Sequence, residues 1–315
     1  MDTSSDEEVT GGVPRRDQAY ATRVFDEHRD LLVGVAYRVL GSVTDAEDVV
    51  QEAWLRWSKV DLAEVDNPRA FLVRVTTRLA IDRLRRAKAR RESYVGPWLP
   101  EPLLTGYDDS EQIELAESVS MAMLVVLETL SPLERAVFVL REAFAMPYAE
   151  IGEVIGRKEE TVRQLARRAR DHVRERSVRF EADQETRRRV TERFLEAAVG
   201  GDVEALMEVL APGVTLVADG GGRARAPRRP VYGADNVARF LTVVATRPGE
   251  DVQARIAQVN GGPGIVVTSE GETVAVLVLD VSGGVVRTVH LVANPEKLAG
   301  VRALSSGHLR FRCHV

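Results

Sequence analysis

Residues 148–168 read YAEIGEVIGRKEETVRQLARR, a stretch whose pattern folds back on itself. Ile151 and Ile155 lie four apart, Val162 and Leu165 lie three apart, and Gly156 separates the two runs. Apolar residues at those spacings line one face of each of two short helices, which close on one another. Gly156 supplies the turn, because a positive φ costs glycine little. The outward side of the second helix then carries Arg163, Gln164, Arg167 and Arg168, with Arg157, Lys158 and Thr161 at its entry. Arginine and glutamine form forked hydrogen bonds to guanine and adenine edges in the major groove, so the pattern predicts a DNA-reading hairpin. The competing reading is an amphipathic hairpin with a solvated basic face.

The chain has 315 residues, enough for two or three domains with proper cores. Its net charge is −5, which suits nucleic acid only because the bases are concentrated in blocks while acids crowd residues 1–66 and 101–160. Cys313 is the single cysteine, which leaves no disulfide framework and no thiolate metal site. With no zinc-type cluster and no Gly-rich phosphate loop, no cofactor is expected. No apolar run is long enough to span a bilayer, and the start MDTSSDEEVTGG has neither the basic nor the apolar part of a secretory signal. The expected location is the cytoplasm, with no membrane partner.

Residues 1–17 are polar and acidic and are predicted to be disordered. Residues 18–91 are helical throughout: a first run through Phe25, Leu32, Val35 and Val39, a second from a Thr44-Asp45 cap, and a third from Asn67-Pro68. In the second, Trp54 and Trp57 beside Val50 and Ala53 read as core. Residues 92–110 form a proline-stiffened linker (Pro97, Pro100, Pro102), and helices resume over 111–180. Beyond, residues 184–315 carry two helices, the strand VTLVAD, a helix at 235–246 and four β-rich runs. Gly261-Gly262-Pro263 and Ser282-Gly283-Gly284 read as hairpin turns, which predicts an α+β domain with a curled antiparallel sheet.

The third helix ends in a second basic block: Arg74, Arg78, Arg83, Arg85, Arg86, Lys88, Arg90 and Arg91 face only Asp82. Leu72, Val75, Leu79 and Leu84 interleave with it, so it is a packed helix with one cationic side, suited to phosphates. The order DAEDVVQEAWLRW, NPRAFLVRVTTRLAIDRLRR, linker, helix-turn-helix resembles bacterial RNA polymerase sigma factors over roughly residues 20–178. It is most similar to the extracytoplasmic-function type, which keeps only regions 2 and 4.

The resemblance implies a partner, core RNA polymerase, contacted at its β′ clamp helices and its β flap. Asp45, Glu47, Asp48, Gln51, Glu52 and Trp54 would form the face docked on the clamp helices. Arg74, Arg78, Arg83, Arg85, Arg86 and Lys88, with the loop 59–67, would recognise and melt the −10 element of promoter DNA. Arg157, Lys158, Thr161, Arg163, Gln164, Arg167 and Arg168 would read the −35 element. The chain departs from many relatives at Arg78, where asparagine is common, and at Lys158, where serine often caps the recognition helix.

Residues 184–315 resemble the cone-shaped α+β SnoaL-like fold shared with ketosteroid isomerase. Three short stretches fit a subgroup of these sigma factors that carries such a domain: YVGPWLPEP (94–102), DGGG (219–222) and NPEKL (294–298). The resemblance implies regulation in cis, with no separate anti-sigma factor. Tyr94, Trp98, Leu99, Pro100, Asp219, Asn294, Pro295 and Lys297 are the residues expected to carry it. A small apolar ligand is what a cavity of this fold would take. Two other readings stand beside this one: a helix-turn-helix regulator with a ligand-sensing domain, and an isomerase or cyclase. In the last, Asp219 would be the general base, with His290 and Asp280 as weak candidate partners.

Overall fold

The computed structural model describes residues 15–105, 120–177, 182–245, 252–301 and 310–312. Of the disorder expected over 1–17, residues 1–14 lie outside the described residues, as do the linker beyond 105 and the helix expected over 111–119, whereas 15–17 open a helix and correct that expectation.

Helices α1 (Arg15–Leu40), α2 (Val43–Trp57) and α3 (Pro68–Arg91) form the first module. The cap of α2 is Ser42, whose hydroxyl accepts from Asp45 N, two residues earlier than Thr44-Asp45 had suggested. Pro68 sits in the first turn of α3 behind the Asn67 cap, as its lack of an N–H favours. Trp57 is fully buried with its indole N–H on the Ala21 carbonyl at 2.9 Å, and Trp54 stacks edge-on against Phe25.

The second module comprises α4 (Met121–Leu127), α5 (Pro132–Phe138) running into a π-helical turn (Val139–Ala143), α6 (Tyr148–Ile155) and α7 (Glu159–Ser177). Gly156 ends α6 in the left-handed region at φ 67°. Gly152 is required as well, since a Cβ there would come within 2.6 Å of the Arg157 carbonyl. One continuous apolar core, from Leu32 and Trp57 through Leu124 and Leu140 to Ile151 and Val162, joins the two modules.

The third module begins with α8 (Gln184–Val199) and α9 (Val203–Val209), followed by β1 (Leu210–Asp219), β2 (Val231–Tyr232) and α10 (Ala234–Ala245). It continues through β3 (Val252–Val259), β4 (Gly262–Ser269), β5 (Glu272–Ser282) and β6 (Val285–Val292) to α11 (Pro295–Leu298) and β7 (Arg310–Arg312). The strands pair in the order β2-β1-β6-β5-β4-β3-β7. Bulges at Val267/Thr268 and Asp280/Val281 bend and twist the sheet, giving it its curl.

Two expectations are corrected. The sheet is mixed, because β1 runs parallel to β6 after the long crossover through α10 and β3–β5. The first hairpin turn is Asn260-Gly261, both at positive φ, while Gly262 and Pro263 already belong to β4.

Both faces of this sheet are apolar. One packs Leu216, Leu277, Leu279 and Val289 against Phe194, Leu195 and Leu241 of the module's own helices. The other presents Val266, Val276, Val278 and Val292, and it is covered by Leu99 of the linker, Met121 of α4 and Leu298. The run VAVLVLDV of β5 shows no alternation because it is buried from two sides.

Candidate interdomain clamp and nucleic-acid surfaces

Asp219 ends β1 fully buried, and its carboxylate is saturated by four donors. One oxygen accepts from the Tyr94 hydroxyl at 2.5 Å and from Gly221 N at 3.1 Å. The other accepts from Leu99 N at 2.8 Å and from Lys297 Nζ at 2.6 Å. Lys297 also donates to the Leu99 carbonyl, and Asn294 donates its amide to the Tyr94 oxygen at 2.8 Å. The Asp219 carbonyl takes the backbone N–H groups of Ala293 and Asn294, which seats the NPEKL turn beside the DGGG turn. A Cβ on Gly221 would meet the Asn294 amide at 2.5 Å, so the two turns fit only with glycine there. Together they grip the linker at Tyr94 and Leu99.

Trp98 lies between two cations. The Arg91 guanidinium carbon is 3.3 Å from its ring centroid and Lys297 Nζ is 3.7 Å away. Such contacts strengthen as the cation loses water. Arg91 closes α3 and also pairs with Glu128 at the end of α4; Glu128 in turn pairs with buried Arg135, whose Nε donates to the Arg38 carbonyl. Gly41 is where the three parts meet: at φ 69°, a Cβ on it would touch Glu128, Arg135 and Trp98. Burial pushes the Lys297 amine down to about 8, against the pull of Asp219. Burial likewise raises the Tyr94 hydroxyl, with Asp219 adding to the effect. Pro100 is buried, whereas Pro295 is exposed at the start of α11.

A second grip was not anticipated from the sequence. The Glu101 carboxylate accepts from Ser42 Oγ and Val43 N, both at 2.7 Å, and so sits on the amino terminus of α2. Its backbone carbonyl takes the Tyr37 hydroxyl at 2.8 Å; that oxygen accepts the Asn260 amide at 2.6 Å. Leu103 exchanges backbone and side-chain bonds with Asn260, and Leu104 bridges to Val259, so the linker adds itself to the end of β3. Glu101 lies in the singled-out YVGPWLPEP stretch, but neither the Asn260 turn nor its pairing with the linker across the fold was read from the sequence.

The residues expected at −35 are all exposed along α7 and its entry. Arg163 pairs with Glu159 at 2.6 Å and Arg167 lies 3.9 Å from Asp171. The −10 set divides. Arg86 is exposed, Arg85 pairs with Asp82 and Arg74 lies over the Phe71 ring. Arg78, Arg83 and Lys88 instead commit donors to other groups of the protein, although Arg78 stays exposed and the other two are only partly buried: to the Val154 and Glu153 carbonyls, to Asp45 and Asp48, and to the Leu130 and Glu128 carbonyls. Of the docking set, Asp45 and Asp48 are engaged by Arg83 and Glu52 pairs with Arg56. Glu47 and Gln51 are exposed, and Trp54 is partly buried.

The catalytic reading of Asp219 is not supported, since its carboxylate is committed to the clamp rather than facing a cavity. His290 lies 2.9 Å from Asp280 on neighbouring strands. Asp280, Arg187 and Asn260 line a cavity of about 50 Å³, room for a water or two.

The sigma-70 region 2 model matches residues 24–90 and the sigma-70 region 4 model matches residues 120–173. Over 289 residues the chain is 39% identical to the ECF RNA polymerase sigma factor SigJ of Mycobacterium tuberculosis, covering 88% of this chain and 92% of that one. The chain belongs to the ECF RNA polymerase sigma factors. The sigma factor is also 34% identical to the probable sigma factor SigI of the same species, over 89% of its own length and 95% of that relative's. Against the crystal structure of M. tuberculosis SigJ the TM-score is 0.71 at 34% identity, covering 90% of this chain and 100% of that one. These likenesses run through the sheet module, so the ordinary-regulator alternative is not favoured. The sigma factor binds core RNA polymerase and promoter DNA. Among its described residues no helix is long and apolar enough to cross a membrane.

Proposed function

We propose that the sheet module of this sigma factor controls its two DNA-reading modules in cis, through the linker. The observation that carries this is the Asp219 carboxylate, which joins Tyr94, Leu99 and Lys297 in one buried cluster. A tethered domain meets its partner at an effective concentration up to millimolar, so modest contacts suffice. The control replaces what a separate anti-sigma factor would do. In this reading α7 meets the −35 element through Arg157, Lys158, Thr161, Arg163, Gln164, Arg167 and Arg168. The α3 helix meets the −10 element, and the exposed edge of α2 (Glu47, Gln51, Glu52) docks on polymerase.

In this reading the closed arrangement restrains initiation. With Arg78, Arg83 and Lys88 bonded internally, α3 must release α4, α6 and the α2 acids before its full cationic side meets DNA. A small apolar ligand would fit the open cavity of about 400 Å³ lined by Met207, Leu210 and Pro212 rather than the 50 Å³ pocket beside Asp280. The test is transcription from a promoter library with core polymerase and either the full chain or its Asp219→Asn variant. A change in initiation at unchanged core affinity supports control through the clamp. Equal initiation by both would rule it out.

A further inference from the structure

The loop after β1, GGRARAPRRP (221–230), carries Arg223, Arg225, Arg228 and Arg229 with no acid between Asp219 and Asp235. In a chain of net charge −5 this is a local excess of four positive charges in seven residues. The loop is built, not loose. Arg223 N and Ala224 N both donate to the Gly220 carbonyl at 3.0 Å, and Ala226 packs against the module's core. That anchoring turns the arginines outward, and all four are exposed. Arg223 pairs with Glu296, whereas Arg225, Arg228 and Arg229 make no ion pair or side-chain hydrogen bond with the described residues.

Their position is set by the clamp. Chain turns follow α3 at once, with Ser93 N on the Arg90 carbonyl and Tyr94 N on that of Arg91. Gly222 then abuts Val95, and a Cβ on Gly96 would lie 3.5 Å from the Arg228 Cα. Gly96 is five residues beyond Arg91, so the loop backbone touches the chain within about 19 Å of the last residue of α3. That distance spans about six base pairs of duplex at 3.4 Å each. Because the clamp holds residues 94–99, the loop travels with α3 even if α4–α7 swing away.

We infer that Arg225, Arg228 and Arg229 form a phosphate-binding surface, continuous with Arg86 and Arg90 at the end of α3, that holds the duplex next to the −10 element. The occupant fits by charge: a polyanionic backbone meets unpaired guanidinium groups, which favour phosphate by geometry. Flexible arginines on a loop grip phosphates rather than read bases, so the contact adds affinity without sequence preference. The inference rests on the reading of α3 as the −10 helix, and the experiment separates the two.

Reconstituted holoenzyme containing the full chain is titrated with promoter duplex across a series of salt concentrations. An Arg225→Ala/Arg228→Ala/Arg229→Ala variant is expected to flatten the log K against log salt slope by about 2–3, near 0.9 per phosphate lost. The loss should be the same for −10 variants of the promoter, and the corresponding triple lysine variant should restore most of the slope. An unchanged slope overturns the inference, as does a loss traced to weaker core binding, which would make an acidic polymerase surface the partner. An Arg85→Ala/Arg86→Ala variant tests the α3 reading by itself. If it alone leaves the slope intact, the α3 reading fails and takes the placement beside the −10 element with it; if the loop variant alone does so, the inference fails and the α3 reading stands.

Discussion

Arg78 Nε donates to the Val154 carbonyl at 2.7 Å, and its Nη2 reaches Glu153 at 3.0 Å. The α3 helix therefore caps the first helix of the helix-turn-helix at its carboxyl end, where a cation meets the negative pole of the helix and its unpaired carbonyls.

Removing that cap should loosen the two DNA-reading modules. Arg78→Ala is expected to cost about 1–2 kcal/mol of contact between them, shifting the open fraction up about tenfold. Dyes on α3 and α7 would report a longer mean separation by energy transfer. An unaltered distance distribution would mean that the shared apolar core alone holds the modules together.

Breaking the buried ion pair should be costly. Lys297→Met strands the Asp219 charge among buried groups and is expected to destabilise by about 3–5 kcal/mol. Pairing it with Asp219→Asn should recover part of that loss, because the stranded charge is gone. Denaturant unfolding of the four chains closes the cycle; additive losses would show that the two side chains are not coupled.

The Lys297 amine, lowered by burial to about 8, makes stability depend on pH. Its folded value lies below that of the unfolded chain, so between about pH 8 and the ordinary lysine range near 10.4 the unfolded state holds more protons. Stability from this group therefore rises with pH across that window and is flat below it. Unfolding midpoints over this range should show that rise in the natural chain and lose it in Lys297→Met. A fall in its place would contradict the burial of this amine.

Trp98 joins α3 to the sheet module through its two faces. Trp98→Leu keeps apolar bulk but loses both cation–π contacts, expected to weaken linker docking by about 1–2 kcal/mol. Limited proteolysis at Arg90 and Arg91 should then run roughly five- to thirtyfold faster, following the open population. Cleavage at the natural rate would assign Trp98 no part in docking.

Much of the architecture was legible because it is local. Helical spacing placed α6 and α7, Pro68 opened α3, and Gly156 ended α6 with a positive φ. The stripe holding Trp54 and Trp57 read as core, and Trp57 is fully buried. Where a turn was misplaced, it begins one residue early, with Asn260 and Gly261 both at positive φ and Gly262 already in β4. The parallel β1–β6 pair was missed because its partners are joined by a long crossover, which leaves no period in the chain.

The DGGG and NPEKL stretches were grouped with the linker by resemblance, but the buried contact that joins them could not be read from the chain. Tyr94, Leu99 and Lys297 stand 125, 120 and 78 residues from Asp219. Nothing along the chain marks a buried carboxylate that needs four donors, or shows that Arg78, Arg83 and Lys88 find partners on neighbouring helices while Arg86 stays in water. Sequence by itself determined the helices, the strands and the family, since apolar periodicity and turn chemistry act over a few residues. Only the tertiary structure decided which charges are spent inside the protein, because desolvation and pairing depend on what the fold brings to within 3 Å.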